Sequence, residues 1–304
     1  MASVFVTRAL PGDALERLRD AHQVRVWDAP MPPEPAVLRE AVADTEGLLC
    51  LLTDRVDRAL LDAAPRLRAI ANYAVGTDNI DLALTRARAI PVGVTPDVLT
   101  EATADLAFAL LLAAARRLPE ATAAARGGAW RTWEPAQWLG ADVDGAALGI
   151  VGYGRIGRAV ARRAGGFRMS VRSTADTALD ELLAISDFVS LHCPLTPQTR
   201  HLIDAAALRR MRSTAILVNT ARGGVVDQAA LIDALNAGEI AGAAIDVTDP
   251  EPPPPGDPIY ATPNLVVLPH IGSATRTARS RMTELAVENL LAGLEGRPMP
   301  HPAP

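Results

Sequence analysis

Three polar residues stand where short apolar runs end in the second half of the chain: Arg222 after LVNTA, Glu251 in DVTDPEP and His270 in VVLPHIGS. If those runs are strands of one parallel sheet, all three lie at C-terminal strand ends, where open α/β sheets place their ligands. The chemistry that suits such a trio is hydride transfer to a carbonyl. Hydride arriving at carbon leaves negative charge on oxygen, and an imidazole, titrating near neutrality, can supply the proton. His270 is the expected acid/base. A carboxylate beside that ring favours its charged form and fixes its orientation, the role expected of Glu251. Arg222, with its planar fork of donors, can polarise the carbonyl and pair with an adjoining carboxylate, which selects 2-oxo acids over simple ketones.

A second constellation faces the same rim. Residues 148–157 read LGIVGYGRIG, an apolar run closed by Gly152, Gly154 and Gly157. In a G-x-G-x-x-G turn one glycine makes the bend, one lets the backbone approach a pyrophosphate, and one packs helix on strand, with the helix N-terminus facing the phosphates. Alone, the spacing also fits an ordinary strand-to-helix turn. Beside the trio it points to a dinucleotide.

The elements that must position these residues follow a βαβα alternation. Apolar strands are predicted at 3–7, 23–27, 47–52 and 67–73, with helices at 12–21, 35–42, 58–64 and 81–88 between and after them. The first domain ends near Pro96. A helix capped by Thr100, with Glu101 and Asp105 near its first turn, runs to about Arg117 and is too apolar for a surface helix, so it is expected to be buried between domains or subunits. Pro119 marks a second helical piece, and the loop at 127–140 carries three of the four tryptophans, a composition suited to docking on another surface. After the glycines come a helix at 155–164, strands at 167–171, 188–192, 215–219, 241–247 and 265–268, a helix capped by Asp227, and a last helix at 274–294. The interval after the strand at 167–171 is too short for the usual helix and edge strand, so the sheet is expected to be one strand short there.

Composition narrows the classes of function. At 304 residues and 49% hydrophobic the chain can form two cores, and its net charge of -5 gives no electrostatic footprint for nucleic acid. There is no lysine, which excludes Schiff-base chemistry and a Walker-type phosphate lysine. Two distant cysteines, Cys50 and Cys193, indicate neither disulfides nor a thiolate metal site, and no metal is expected. The longest apolar run, 106–115, is about half of a bilayer span, so no membrane association is expected, and a cytoplasmic enzyme is the plain reading.

Six stretches carry a resemblance along nearly the whole chain: NYAVGTDNID (72–81), VLTEATADLAFALLLAAARR (98–117), GIVGYGRIG (149–157), SDFVSLHCPLTPQTRHLI (186–203), ILVNTARGGVVD (216–227) and LPHIGSAT (268–275). The chain resembles the D-isomer-specific 2-hydroxyacid dehydrogenases, most closely the glyoxylate/hydroxypyruvate reductase branch. The resemblance implies an α/β fold with a Rossmann-type dinucleotide-binding domain (99–274) inserted into a flavodoxin-like substrate domain (1–98 plus 275–304). It places the family's catalytic arginine, glutamate and histidine on Arg222, Glu251 and His270. It also implies that backbone amides of Val75 and Gly76 hold the substrate carboxylate, with Leu52 and Thr53 as a neighbouring wall, Ser273 close by, and Trp138 lent by one subunit of a homodimer to its partner's site. Cofactor contacts are implied at Thr103, Gly152, Gly154, Arg155, Ile156, Gly157, Cys193, Pro194, Thr199, Thr220, Ala221, Asp246 and Gly272. Cys193 and Pro194 would line the adenosine side, and Asp246 would hold the nicotinamide carboxamide.

The sequence departs from the family at the cofactor discriminator. NAD users keep an aspartate at the end of the second strand, whereas ungapped alignment puts Ala175 there, with Asp176 next to it. With the deletion inside the strand end, Arg172, Ser173 and Thr174 become a grip for a 2′-phosphate, and NADP(H) is favoured over NAD(H). The expected partner is a small 2-oxo or 2-hydroxy acid. A dinucleotide-sensing regulator of the C-terminal-binding-protein corepressor type, with little turnover, is the alternative, since such proteins share the trio.

Overall fold

The computed structural model describes residues 1–304. The chain divides into two compact units, Met1–Leu99 with Ala274–Pro304, and Thr100–Ser273. The first begins with β1 (Ser3–Val6), α1 (Ala14–Ala21), β2 (Gln23–Val26), α2 (Pro35–Val42), β3 (Gly47–Cys50), α3 (Arg58–Ala63), β4 (Ala69–Asn72), α4 (Leu82–Ala87) and β5 (Val92–Gly93). Its sheet is parallel in the order β2-β1-β3-β4-β5, the flavodoxin-like arrangement. β3 and β4 are buried on both faces and read GLLC and AIAN, without alternation, as helix-covered parallel strands should. Asp57 and Asp81 accept from the N–H groups of Leu60 and Leu84, so α3 and α4 start cleanly after the loops that leave β3 and β4. Each such cap is worth about 1 kcal/mol.

The second unit contains α5 (Thr100–Ala115), α6 (Leu118–Arg126), β6 (Ala147–Val151), α7 (Arg155–Gly166), β7 (Ser170–Ser173), α8 (Leu179–Ile185), β8 (Phe188–Leu191), α9 (Ala205–Arg210), β9 (Ile216–Asn219), α10 (Gln228–Ala237), β10 (Gly242–Ile245) and β11 (Leu265–Val267). Its parallel sheet runs β11-β10-β9-β8-β6-β7. The chain steps from β6 outward to β7 and then back across to β8, so the switch point of the sheet lies over the C-terminal end of β6, where the glycine turn begins. α5 buries Ala104, Ala107, Phe108, Leu110 and Leu111 and packs within this unit on α7, β9, β10 and β11.

β7 is the edge strand, paired with β6 along its four residues. It starts three residues later than the pattern predicted. Phe167 caps α7 and stacks on Phe108 at 5.4 Å, and Arg168 takes a left-handed φ of 55° before the strand can begin. Arg172 and Ser173 therefore lie inside the strand.

The chain returns to the first unit in α11 (Arg276–Leu294), capped by Thr275, which packs on α1, β3, β4 and β5 through residues such as Met282, Ala286, Val287 and Leu290. No helix is long and apolar enough to cross a membrane.

Candidate active site

Within the second unit the loops after β9, β10 and β11 bring the predicted trio to one rim. Asn219, the buried last residue of β9, folds the loop that follows it: its Nδ2 donates to the Arg222 carbonyl at 2.9 Å and its Oδ1 accepts from the Ala221 amide at 3.0 Å. Gly223 then presses against the loop after β10. A Cβ there would stand 2.0 Å from the Thr248 carbonyl carbon and oxygen, so only glycine lets the two loops meet. Thr248 in turn donates its amide to Glu251 Oε2 at 3.3 Å, and Glu251 Oε1 lies 2.5 Å from His270 Nδ1. The carboxylate is thus held from one side while it holds the ring from the other, which leaves Nε2 as the ring nitrogen that Glu251 does not engage.

His270 occupies a left-handed φ of 54°, an unfavourable conformation for a residue with a Cβ. Asp246 compensates. Its carbonyl accepts from the His270 amide at 2.9 Å, and its carboxylate oxygens accept from the amides of Ile271 and Gly272 at 2.7 Å each. Burial pushes the Asp246 carboxyl above its usual range, opposed by those two amides. Thr103, buried near the start of α5, lies beside Gly272, so Thr103, Asp246 and Gly272 converge under the histidine loop. Ser273 is half-buried just beyond it.

The glycine turn is built as its spacing suggested. Gly152 has a φ of 91°, and a Cβ on it would lie 2.4 Å from the Cys193 amide nitrogen. Gly154 caps α7 with no side chain bonded to the helix start, and nothing lies within 4 Å of where its Cβ would be. Arg155, Ile156 and Gly157 form the first turn of α7, whose N–H groups and dipole suit a pyrophosphate. Next to it a cavity of about 330 Å³ is lined by Val151, Gly152, Thr174, Cys193, Thr199 and Leu202. Thr199 donates to the Pro194 carbonyl at 2.6 Å, and Thr174 Oγ1 accepts from the Gly152 amide at 3.0 Å. The residues present therefore fit a dinucleotide.

The three candidates for a 2′-phosphate are placed unequally. Arg172 and Thr174 are exposed, but Ser173 is buried, its hydroxyl accepting from Ala175 and facing Asp176. Asp176 folds back on the strand end, where Thr177 and the Ser173 amide hold its carboxyl below the usual range. Trp138 is half-buried, has a φ of 59° and lies 5.6 Å from the Arg117 guanidinium of its own chain.

Among residues that sequence reasoning passed over, His192 follows β8 with Nε2 2.8 Å from Ser190 Oγ and Nδ1 3.5 Å from Thr220 Oγ1. Burial lowers its pKa to about 4. The motif LHCP contains it, but nothing in the spacing distinguishes it from a surface histidine. No group of three His, Cys, Asp or Glu side chains is arranged to hold a metal.

In the first unit, Leu52 follows β3 and Val75 and Gly76 follow β4; Leu52 and Val75 are 37% and 39% exposed, although both are apolar. The N–H groups of Val75 and Gly76 donate to no acceptor in the protein.

The NAD binding domain of the D-isomer specific 2-hydroxyacid dehydrogenases matches residues 108–272. The glyoxylate reductase of Korarchaeum cryptofilum is 50% identical over 98% of this chain and 94% of its own. The TT0316 protein of Thermus thermophilus superposes with a TM-score of 0.94 at 51% identity, covering 99% of this chain and 100% of its own. The NADPH-dependent glyoxylate/hydroxypyruvate reductase of Sinorhizobium meliloti, solved with NADP and malonate, does so with a TM-score of 0.86 at 32% identity over 99% and 96%. The reductase relatives give the regulator reading no support. With its family domain matched over half the chain and full-length relatives at half identity, the chain belongs to the D-isomer-specific 2-hydroxyacid dehydrogenase family, an oxidoreductase family.

Proposed function

We propose that the protein reduces small 2-oxo acids, glyoxylate or hydroxypyruvate, to the D-2-hydroxy acids with a reduced nicotinamide nucleotide. The observation that carries the proposal is the His270–Glu251 pair, 2.5 Å apart, on the same sheet rim as the glycine turn. The nicotinamide, when bound, supplies the hydride that the carbonyl carbon receives. Arg222 binds the 2-oxo acid and draws electron density toward the carbonyl oxygen. As that oxygen becomes an alkoxide, His270 Nε2 gives it a proton, and Glu251 balances the charge on the ring and keeps Nδ1 occupied. Solvent returns the proton to His270. Val75 and Gly76 offer their amides to the carboxylate, with Leu52, Thr53, Ser273 and Trp138 as walls. The names and identities of the reductase relatives support the substrate class.

NADP(H) is the favoured nucleotide, with Arg172 and Thr174 as the phosphate grip; Ser173 shapes the turn beneath them. The exposed guanidinium at the sheet edge and the NADPH-dependent relative support this. Arg172→Ala should raise KM for NADPH at least tenfold and leave that for NADH within about twofold, roughly the loss of one charge-assisted contact; equal effects would rule the grip out. Asp246, Thr220, Ala221, Thr103 and Gly272 complete the nucleotide's surroundings.

A homodimer formed through residues 100–140 is part of the same reading. Supporting it, α6 buries none of its residues, and Leu118, Trp130, Trp133 and Leu139 are 52–80% exposed; sedimentation at twice the chain's mass is the check. Two free, buried cysteines are consistent with a cytoplasmic setting.

Purified protein mixed with NADPH or NADH and glyoxylate, hydroxypyruvate or pyruvate should oxidise the nucleotide. Firm nucleotide binding without turnover on any acid would restore the regulator and remove the reductase.

A further inference from the structure

The two loops of the first unit that carry the proposed substrate contacts are joined by a pair of asparagines. Asn79 Nδ2 donates to the carbonyls of Leu51 and Asp54, 3.0 Å from each, so it spans the loop that contains Leu52 and Thr53. The same nitrogen lies 3.3 Å from Asn72 Oδ1, and Asn72 Nδ2 donates to Asn79 Oδ1 at 3.2 Å, so the two amides exchange bonds. Asn72 is fully buried at the end of β4, and its Nδ2 also donates to the Gly76 carbonyl at 2.9 Å. That pulls the Gly76 carbonyl inward. The Val75 and Gly76 N–H groups, just before it, have no acceptor in the protein, and Val75 is 39% exposed. The loop after β3 is fixed a second time by Asp54, which is buried and accepts from the Leu51 amide at 2.7 Å and from the Thr7 hydroxyl at 2.5 Å.

We infer that Asn79 and Asn72 are positioning residues for the substrate carboxylate: by holding the Gly76 carbonyl they fix the turn that carries the Val75 and Gly76 amides, and they tie the Leu52–Thr53 wall to the same frame. This rests on the proposed reading of Val75 and Gly76 as carboxylate donors. Donors fixed before the anion arrives cost no reorganisation when it binds, whereas an untied loop would have to be ordered each time. An amide is the side chain that serves here, because Asn79 must donate to two carbonyls and accept from Asn72 at once. An aspartate in its place would lose the donors, face three carbonyl-type oxygens and set a negative charge near the anion.

Steady-state kinetics of Asn79→Ser, Asn79→Asp and Val75→Pro separate the possibilities. Both Asn79 variants should raise KM for glyoxylate tenfold or more and the inhibition constant of oxamate in parallel. KM for NADPH should stay within twofold and kcat within about threefold, a split that general destabilisation would not produce. Val75→Pro, which deletes one donor, should raise KM for glyoxylate as well. If Val75→Pro raises it and folded Asn79 variants do not, the positioning role is overturned while the carboxylate site stands. If Val75→Pro leaves it unchanged, the carboxylate reading fails and this inference with it. Should the Asn79 variants fail to fold, Thr7→Val decides: losing only the hydroxyl at Asp54, it should raise the same constant by a smaller factor, and no rise overturns the role.

Discussion

At the residue level, the proposed chemistry depends on one imidazole whose two nitrogens have different surroundings. Nδ1 is committed to Glu251, and Glu251 is committed through its other oxygen to the Thr248 amide. Rotating the ring would break the first of these bonds, and the left-handed backbone at His270 is kept only because Asp246 accepts from three successive amides there. So much fixation around a half-exposed side chain is not needed for packing; it suits a group whose direction matters, as that of the proposed proton donor would. His270→Ala should therefore lower kcat on the order of 10²- to 10⁴-fold, the usual worth of a positioned acid. Nucleotide affinity, read by quenching of intrinsic fluorescence, should remain near that of the parent. A variant turning over within a few-fold of the parent would assign the proton to another group.

At the level of elements, position is set by loops that touch at single points. Gly223 is the contact between the loops after β9 and β10, and the space for a methyl group there is taken by Thr248. Gly223→Ala should push the Arg222 loop away from the Glu251 loop and cost about 1–3 kcal/mol of overpacking. Turnover and thermal stability should drop together; an unchanged kcat/KM would mean that the spacing of the two loops is irrelevant to the chemistry. The strand ends themselves were legible in the sequence, because continuous apolar runs such as ILVN and GAAI can only be buried parallel strands in a βαβ chain, and Arg222, Glu251 and His270 follow directly. Asp57, Asp81 and Asp204 each cap a helix, yet α9 went unread since its six residues are too few to show a period. β7 was misplaced because an apolar Phe167 counts toward a strand by type, while its ring belongs to the helix packing against Phe108. Asn72, Asn79 and Asn219 were invisible for a different reason: they bond to backbone atoms of folded loops, and such bonds have no spacing to read.

For the molecule as a whole, acid should destabilise the fold earlier than its surface ion pairs would suggest. The lowered carboxylates Glu46, Asp144, Asp176 and Asp204 are stabilised by hydrogen bonds and contribute stability that is lost only as pH falls below the ordinary carboxylate range. Buried Asp54 and Asp246 have the opposite sign, since their raised values let the folded protein take up protons first and so resist mild acid. His192 dominates the interval above them. Its pKa is about 4 in the fold against 6.5 in the unfolded chain, so between those values the unfolded state binds the extra proton and stability falls as pH falls. The full difference is worth about 3 kcal/mol, or roughly 5 °C or more in Tm for a chain of this size. Melting curves between pH 7 and pH 4 should show that decline in the parent and a much flatter one in His192→Gln, whatever the variant's stability at pH 7. Equal slopes would mean that His192 is solvated when protonated, and that burial does not hold it neutral.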